Sequence, residues 1–152
     1  MVQENIKKEN IITHVKVSDW KEAIQVSGNL LVNNGYISQK YINQMIQSVK
    51  DHGPYIVIGP GIALAHARPS QDVFHNAISL AILTDGVDFG HETNDPVDLV
   101  FTFSASDANK HLNIMERLSK ILLDESTLSQ VRTADSPEIV YQLLNYGRNF
   151  DE

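Results

Sequence analysis

The sequence predicts a layered α/β domain (α+β-like), a mixed central β-sheet of about five strands flanked by helices on both faces. Three observations carry this. Short runs rich in Ile, Val, Leu and Phe, broken by Gly, Pro or Asp, recur at residues 11–17, 55–58, 62–64, 77–83 and 97–103. Segments with apolar residues at helical spacing precede, separate and follow them. A chain of 152 residues is the size of one ordinary domain and can bury roughly two-thirds of its unfolded surface.

Residues 1–10 are polar and are expected to fray. In 11–17, Thr13, Val15 and Val17 alternate with His14 and Lys16, the pattern of a half-buried strand. Ser18 can cap a helix reaching Asn34, with Trp20, Ala23, Ile24, Leu30 and Leu31 as its apolar face and Gly35 as its stop. Ser38 starts a second helix, with Tyr41, Ile42, Met45, Ile46 and Val49 as its stripe and Gly53-Pro54 as its end. The next four apolar runs read as the centre of the sheet. Asp107 can cap a helix to about Leu123, and Ser136-Pro137-Glu138 opens a last helix ending before Gly147, with proline at its first position. No repeat, low-complexity tract or linker divides the chain, so 1–152 reads as one domain. Strand order does not follow from these patterns.

Composition narrows the function. The chain has no cysteine, which excludes disulfides, thiolate zinc sites, a cysteine nucleophile and dithiol redox chemistry on it. The start Met1-Val2-Gln3-Glu4-Asn5-Ile6-Lys7-Lys8 lacks the apolar core of a signal peptide, and the apolar run 77–83 is too short to cross a bilayer. A cytoplasmic protein without membrane insertion is expected. Twelve Lys and Arg against nineteen Asp and Glu give a net charge of −7, with the basic residues scattered rather than gathered on one segment, so nucleic acid is not an expected partner.

The chemistry concentrates in Tyr55-Ile56-Val57-Ile58-Gly59-Pro60-Gly61-Ile62-Ala63-Leu64-Ala65-His66-Ala67-Arg68-Pro69. A strand runs into a turn whose glycines let the backbone pass close to another group. His66 follows four small or apolar residues, at an edge. An imidazole with an ordinary pKa near ~6.5 is largely neutral in the cytoplasm and keeps one free lone pair, so it can attack phosphorus without an activating base. The plainer account of such a histidine is a strand end bonded to backbone. Arg68, two residues on, leaves on the same face as His66 if the segment is extended, and its guanidinium could fork onto phosphoryl oxygens. A surface ion pair or a partner contact serves Arg68 equally well. His111 falls in the first turn of the helix capped by Asp107, where a histidine is commonly solvated.

Residues 89–98 cluster Asp, Glu and His, a combination that can ligate metal, but no H-x-H or H-x-x-x-H spacing supports this, and the stretch reads as a turn leading into a strand. His14, His52 and His75 read as surface residues. No G-x-x-x-x-G-K-[ST] loop, G-x-G-x-x-G turn or G-x-S-x-G elbow is present, so a phosphorylated histidine would draw on another protein.

Over nearly its full length the chain resembles the mannitol/fructose type of enzyme IIA of the bacterial phosphoenolpyruvate-dependent sugar phosphotransferase system. In that family a G-I-A-[LVM]-P-H stretch ends in the histidine that takes a phosphoryl group from the phosphocarrier protein HPr and passes it to enzyme IIB. Gly61-Ile62-Ala63-Leu64-Ala65-His66 fits this stretch, with Ala65 where proline is usual, and Pro60 stands where the mannitol branch has glutamate. The resemblance implies that His66 is the phosphoacceptor. The family's D-x-x-x-H-[LQ] landmark reads Asp107-Ala108-Asn109-Lys110-His111-Leu112 and implies His111 as the partner histidine, a donor to a phosphoryl oxygen beside the helix's free amides. It thus implies a phosphotransferase acting through His66, His111 and Arg68, with phospho-HPr as donor, enzyme IIB as acceptor, and neither cofactor nor metal. A homodimer is left open. The patterns N-D-P-V-D at 94–98 and D-A-N-x-H at 107–111 look most like the ascorbate branch, favouring L-ascorbate over mannitol, fructose or galactitol. Two other readings stand beside this one. The first is a regulatory phosphohistidine module controlling a transcription factor or channel. The second is a metal-dependent hydrolase, with only the number of histidines, six, behind it.

Overall fold

The computed structural model describes residues 6–146. Its strands are β1 (Ile11–Val15), β2 (Val57–Gly59), β3 (Ile62–Ala65), β4 (Ala77–Val87) and β5 (Val97–Ser104). Its helices are α1 (Trp20–Asn33), α2 (Gln39–His52), α3 (Ala108–Leu122), α4 (Glu125–Thr133) and α5 (Pro137–Tyr146). The strands form one five-stranded sheet in the order β1-β4-β5-β3-β2. β1 with β4 and β3 with β5 are parallel, while β4 with β5 and β2 with β3 are antiparallel, so the sheet is mixed as expected.

Period-two alternation sorts the central strands between two cores. Ile62 and Leu64 of β3, Ile78, Leu80 and Ile82 of β4, and Leu99, Phe101 and Phe103 of β5 share one core with apolar residues of α3, α4 and α5. Ala63, Ala65, Leu83 and Val100 share the other with Ala23, Ile24 and Leu31 of α1 and Tyr41, Ile42, Met45 and Val49 of α2. Helices on both faces are what two apolar sheet faces demand. Between α1 and the sheet a small polar cluster is fully bonded. Thr102 Oγ1 donates to Ser27 Oγ at 2.8 Å, Ser27 Oγ to the Val100 carbonyl at 2.8 Å, and Ser79 Oγ to the Ser27 carbonyl at 2.8 Å.

Several boundaries differ from expectation for physical reasons. α1 is capped by Asp19, not Ser18: the Asp19 carboxylate accepts from the Glu22 N–H at 2.9 Å, and the Glu22 side chain reaches back to the Ser18 N–H. β1 stops at Val15, and within it the register against β4 shifts between Ile12 and Val15, where His14 has φ +58. Expected fraying at residues 1–10 lies partly outside the described residues. From Ile6 onward it is corrected: Ile6 is buried, its N–H donates to Asn145 Oδ1 at 3.1 Å and its carbonyl accepts from Asn145 Nδ2 at 2.9 Å, and Lys8–Asn10 form a 3-10 turn.

The apolar pattern of the sequence does not announce α4. It is capped by Asp124, buries Leu128 and Val131, and supplies Arg132. Arg132 Nε donates to both oxygens of Asp98 at 3.1 Å, and its Nη2 donates to the Pro60 carbonyl at 3.0 Å. Gly61 crosses this pair with φ +74, and a Cβ there would lie 2.8 Å from Arg132 Nη2 and 2.9 Å from Asp98 Oδ1. The close approach expected of the glycine turn is therefore real at Gly61, and it clamps the start of β3.

Candidate active site at the ends of strands β3 and β5

Because β3 and β5 are parallel, their carboxyl ends open on the same edge of the sheet, where ligands of open α/β sheets commonly sit. β3 is entirely buried and hands the chain directly to His66. Ala65 pairs with Thr102, so the next residue of β5, Phe103, lies under His66. The two rings are stacked, with centroids 5.0 Å apart and an interplanar angle of 20°. β5 then leads through residues 105–107 into α3, whose first turn returns over the same edge. Asp107 caps α3 by accepting from the Lys110 N–H at 2.9 Å, as expected.

That return brings the two histidines together. The rings of His66 and His111 are 5.5 Å apart at 76°, and His111 meets the edge of Phe103 at 4.9 Å and 73°. Tyr55 closes another side at 5.9 Å and 88°. A fully buried phenylalanine is thus the floor, and two imidazoles and a phenol stand on it.

One hydrogen bond sets the chemistry of His66. Its Nδ1 lies 2.9 Å from the Leu64 carbonyl, which can only accept, so Nδ1 carries the proton. Nε2 keeps the lone pair and has no partner among the described residues. Half-burial in this aromatic setting holds the imidazole below the ordinary histidine range by removing water from the charged form. The bond to Leu64 opposes that effect, and the neighbouring His111 adds to it. His66 is therefore neutral near pH 7. An NMR titration of its ring should show a midpoint under the ordinary ~6.5, and a midpoint at or above that value would contradict the packing argument.

Arg68 is exposed. Ala67 between it and half-buried His66 is buried, and Arg68 makes no ion pair or hydrogen bond among the described residues. Residues 89–98 close on themselves: the Asp95 carboxylate accepts from the N–H groups of Phe89, Gly90 and His91, and His91 Nδ1 accepts from those of Thr93 and Asn94. Among the described residues no group of three or more His, Asp or Glu is arranged to hold a metal ion. His14, His52 and His75 are exposed, as expected. A cavity of about 560 Å³ lies beside Tyr36, Asn76, Ile78 and Lys110 and does not include His66. Sequence reasoning missed Phe103 and Tyr55 as site residues, because nothing in their spacing announces a parallel partner strand or a ring contact.

The model of the family described as phosphoenolpyruvate-dependent sugar phosphotransferase system, EIIA 2, matches residues 4–147. The chain belongs to this family. Like other EIIA components it is a phosphotransferase of the sugar phosphotransferase system. This EIIA is 36% identical over 129 residues to the mannitol-specific cryptic phosphotransferase enzyme IIA component of Escherichia coli K12, covering 85% of the chain and 87% of the relative. It is 31% identical over 137 residues to the ascorbate-specific EIIA component of Salmonella typhimurium, covering 90% and 89%. A solution structure of the mannitol-specific cryptic enzyme IIA from E. coli superposes with a TM-score of 0.85 at 33% identity, covering 94% of this chain and 97% of that one. The enzyme IIA in a complex of mannitol IIA with phosphorylated IIB from E. coli superposes with a TM-score of 0.80 at 28% identity, covering 91% and 96%. The EIIA fold expected from the sequence is thus the fold present, and no helix among the described residues is long and apolar enough to cross a membrane.

Proposed function

We propose that this EIIA accepts a phosphoryl group from phospho-HPr on Nε2 of His66 and passes it to enzyme IIB in the cytoplasm. The observation that carries this is the Nδ1 to Leu64 carbonyl contact of 2.9 Å, which leaves Nε2 as the nucleophile. The Nε2 lone pair attacks phosphorus in line with the donor's N–P bond. As the new N–P bond forms the old one breaks, and its electron pair returns to the donor imidazole. The Nδ1 proton stays in place, where the Leu64 carbonyl steadies the positive charge that phosphorylation brings to the ring. In the second half a nucleophile of enzyme IIB, a cysteine in the resembled family, attacks the same phosphorus and His66 leaves as the neutral imidazole it began as.

His111, whose ring lies 5.5 Å from that of His66, can donate to a phosphoryl oxygen, and N–H groups at the start of α3 would add to this. Arg68 is proposed to reach the phosphoryl group or the partner only on docking, since it is exposed and unengaged among the described residues. Tyr55 and Leu112, 46% and 58% exposed, put apolar surface beside the two histidines, which suits a macromolecular partner. Replacing His111 by alanine should slow transfer from phospho-HPr by about 10²-fold, the scale for one preorganised donor, in a single-turnover assay. A wild-type rate would remove His111 from the site.

Intact mass after incubation with phosphoenolpyruvate, enzyme I and HPr tests the reading directly. One acid-labile phosphoryl group, transferable to enzyme IIB, is expected, and its absence would end the proposal. The patterns at 94–98 and 107–111 support L-ascorbate as the transported solute. Phosphorylation of mannitol but not ascorbate by the reconstituted system would replace that assignment.

A further inference from the structure

Tyr41 belongs to α2 and is completely buried in the stripe that packs on the sheet. Its ring is ordinary core. Its hydroxyl is not, because it meets three backbone groups at the edge of the site. The Ala67 N–H donates to the Tyr41 hydroxyl at 3.0 Å. The hydroxyl in turn can donate to the Ala67 carbonyl at 3.0 Å or to the Phe103 carbonyl at 3.2 Å. It therefore touches both polar groups of the residue after His66 and the carbonyl of the phenylalanine beneath His66.

The register reveals what this hydroxyl displaces. β3 and β5 pair from Ile62 with Leu99 to Ala65 with Thr102, and the Gly61 carbonyl accepts from the Leu99 N–H at 3.0 Å. Alternate residues of a strand turn their backbone groups toward a given neighbour. Gly61, Ala63, Ala65 and then Ala67 accordingly face β5. One more step of the ladder would pair His66 with Phe103 and aim the Ala67 N–H at the Phe103 carbonyl. The direct bond is not made. The Tyr41 hydroxyl occupies the gap and bonds to both groups.

We propose that Tyr41 is a positioning residue: its hydroxyl is inserted into the β3–β5 ladder, stops the strands from zipping past Ala65, and sets where His66 stands over Phe103. This rests on the reading of His66 as the phosphoacceptor. Burial pushes the Tyr41 hydroxyl up to about 12, so it stays protonated and keeps its donor role at any pH at which the protein works.

Tyr41→Phe removes one oxygen and keeps the ring. The ladder can then close by one direct bond, drawing His66 toward β5. Phosphorylation by phospho-HPr should fall about 10²-fold, the scale of a misplacement of ~1 Å, while the circular dichroism spectrum is retained. In the unphosphorylated variant the ring-nitrogen NMR shifts of His66 should move and those of remote His91 should not. A tyrosine that serves only the core would lower the unfolding midpoint and leave those shifts and the rate alone. A folded Tyr41→Phe protein with wild-type rate and unchanged His66 shifts overturns the proposal. If that variant does not fold, amide exchange in the wild-type chain decides: Ala67 protected as well as Ala65 supports the bridge, and fast exchange at Ala67 refutes it. Labelling of a His66→Ala variant would sink the phosphoacceptor reading by itself, because ring shifts and amide exchange are read without any phosphoryl transfer.

Discussion

On the proposed function, His66→Gln should remain folded and take up no phosphoryl group from phosphoenolpyruvate, enzyme I and HPr. The argument is one of nucleophilicity. The wild-type ring offers phosphorus an sp² nitrogen lone pair at Nε2, fixed there because Nδ1 holds its proton against the Leu64 carbonyl. A glutamine amide has the reach and can keep a hydrogen bond, but its nitrogen lone pair is delocalised into the carbonyl and its oxygen is a poor nucleophile at phosphorus. His111 belongs to a different element, α3, and its ring lies 5.5 Å from that of His66, so the same experiment also reads whether it can act as acceptor. Mass spectrometry of the variant, with its thermal unfolding midpoint as a folding control, checks this. Any stoichiometric phosphoryl group on the glutamine variant would move the acceptor elsewhere.

Phe103→Ala costs about 3–5 kcal/mol of folding stability, the range for truncating a fully buried phenylalanine when the surroundings relax only in part. Phe103 is 0% exposed, lies in the core formed with α3, α4 and α5, and bears both histidine rings on its faces and edge. The cavity opens directly beneath the site, so two effects separate by choice of variant. Phe103→Leu fills most of the volume and should cost less than about 1.5 kcal/mol, yet it removes the aromatic face on which His66 stacks. Urea titration of both variants measures the first effect. A loss below about 1 kcal/mol for the alanine variant would show that the floor collapses and fills, which a close-packed core resists.

How far the sequence reaches depends on whether a feature is local. The central strands are legible because buried strands are short apolar runs, and the starts of α3 and α5 because Asp107 and Ser136-Pro137 cap locally. His66 and His111 are legible through their flanking motifs, and the fold brings them within 5.5 Å. α4 escapes notice because its nine residues carry only Leu128 and Val131 as apolar core positions, too few to display a helical period. Ser18 and Asp19 are both good capping residues, so composition cannot choose between them. Phe103 as a floor and the Tyr41 hydroxyl as a ladder bridge depend on which strands pair and in which direction, a relation between distant segments that no window of sequence contains. Arg68 illustrates the opposite limit: its face was read from two-residue spacing, but engagement needs a partner that this chain does not provide among its described residues.

The openness of the edge where His66 stands has a consequence for how the cell's phosphoryl currency reaches it. His66 lies outside the 560 Å³ cavity and meets a carbonyl, two aromatic rings and a second imidazole. Tyr55 and Leu112 beside it are 46% and 58% exposed, so a docking protein can spread its contacts over the surrounding surface. On the proposed reading a docked donor would cover those rings, and the charge state of this histidine would register the loading of the proteins that dock there.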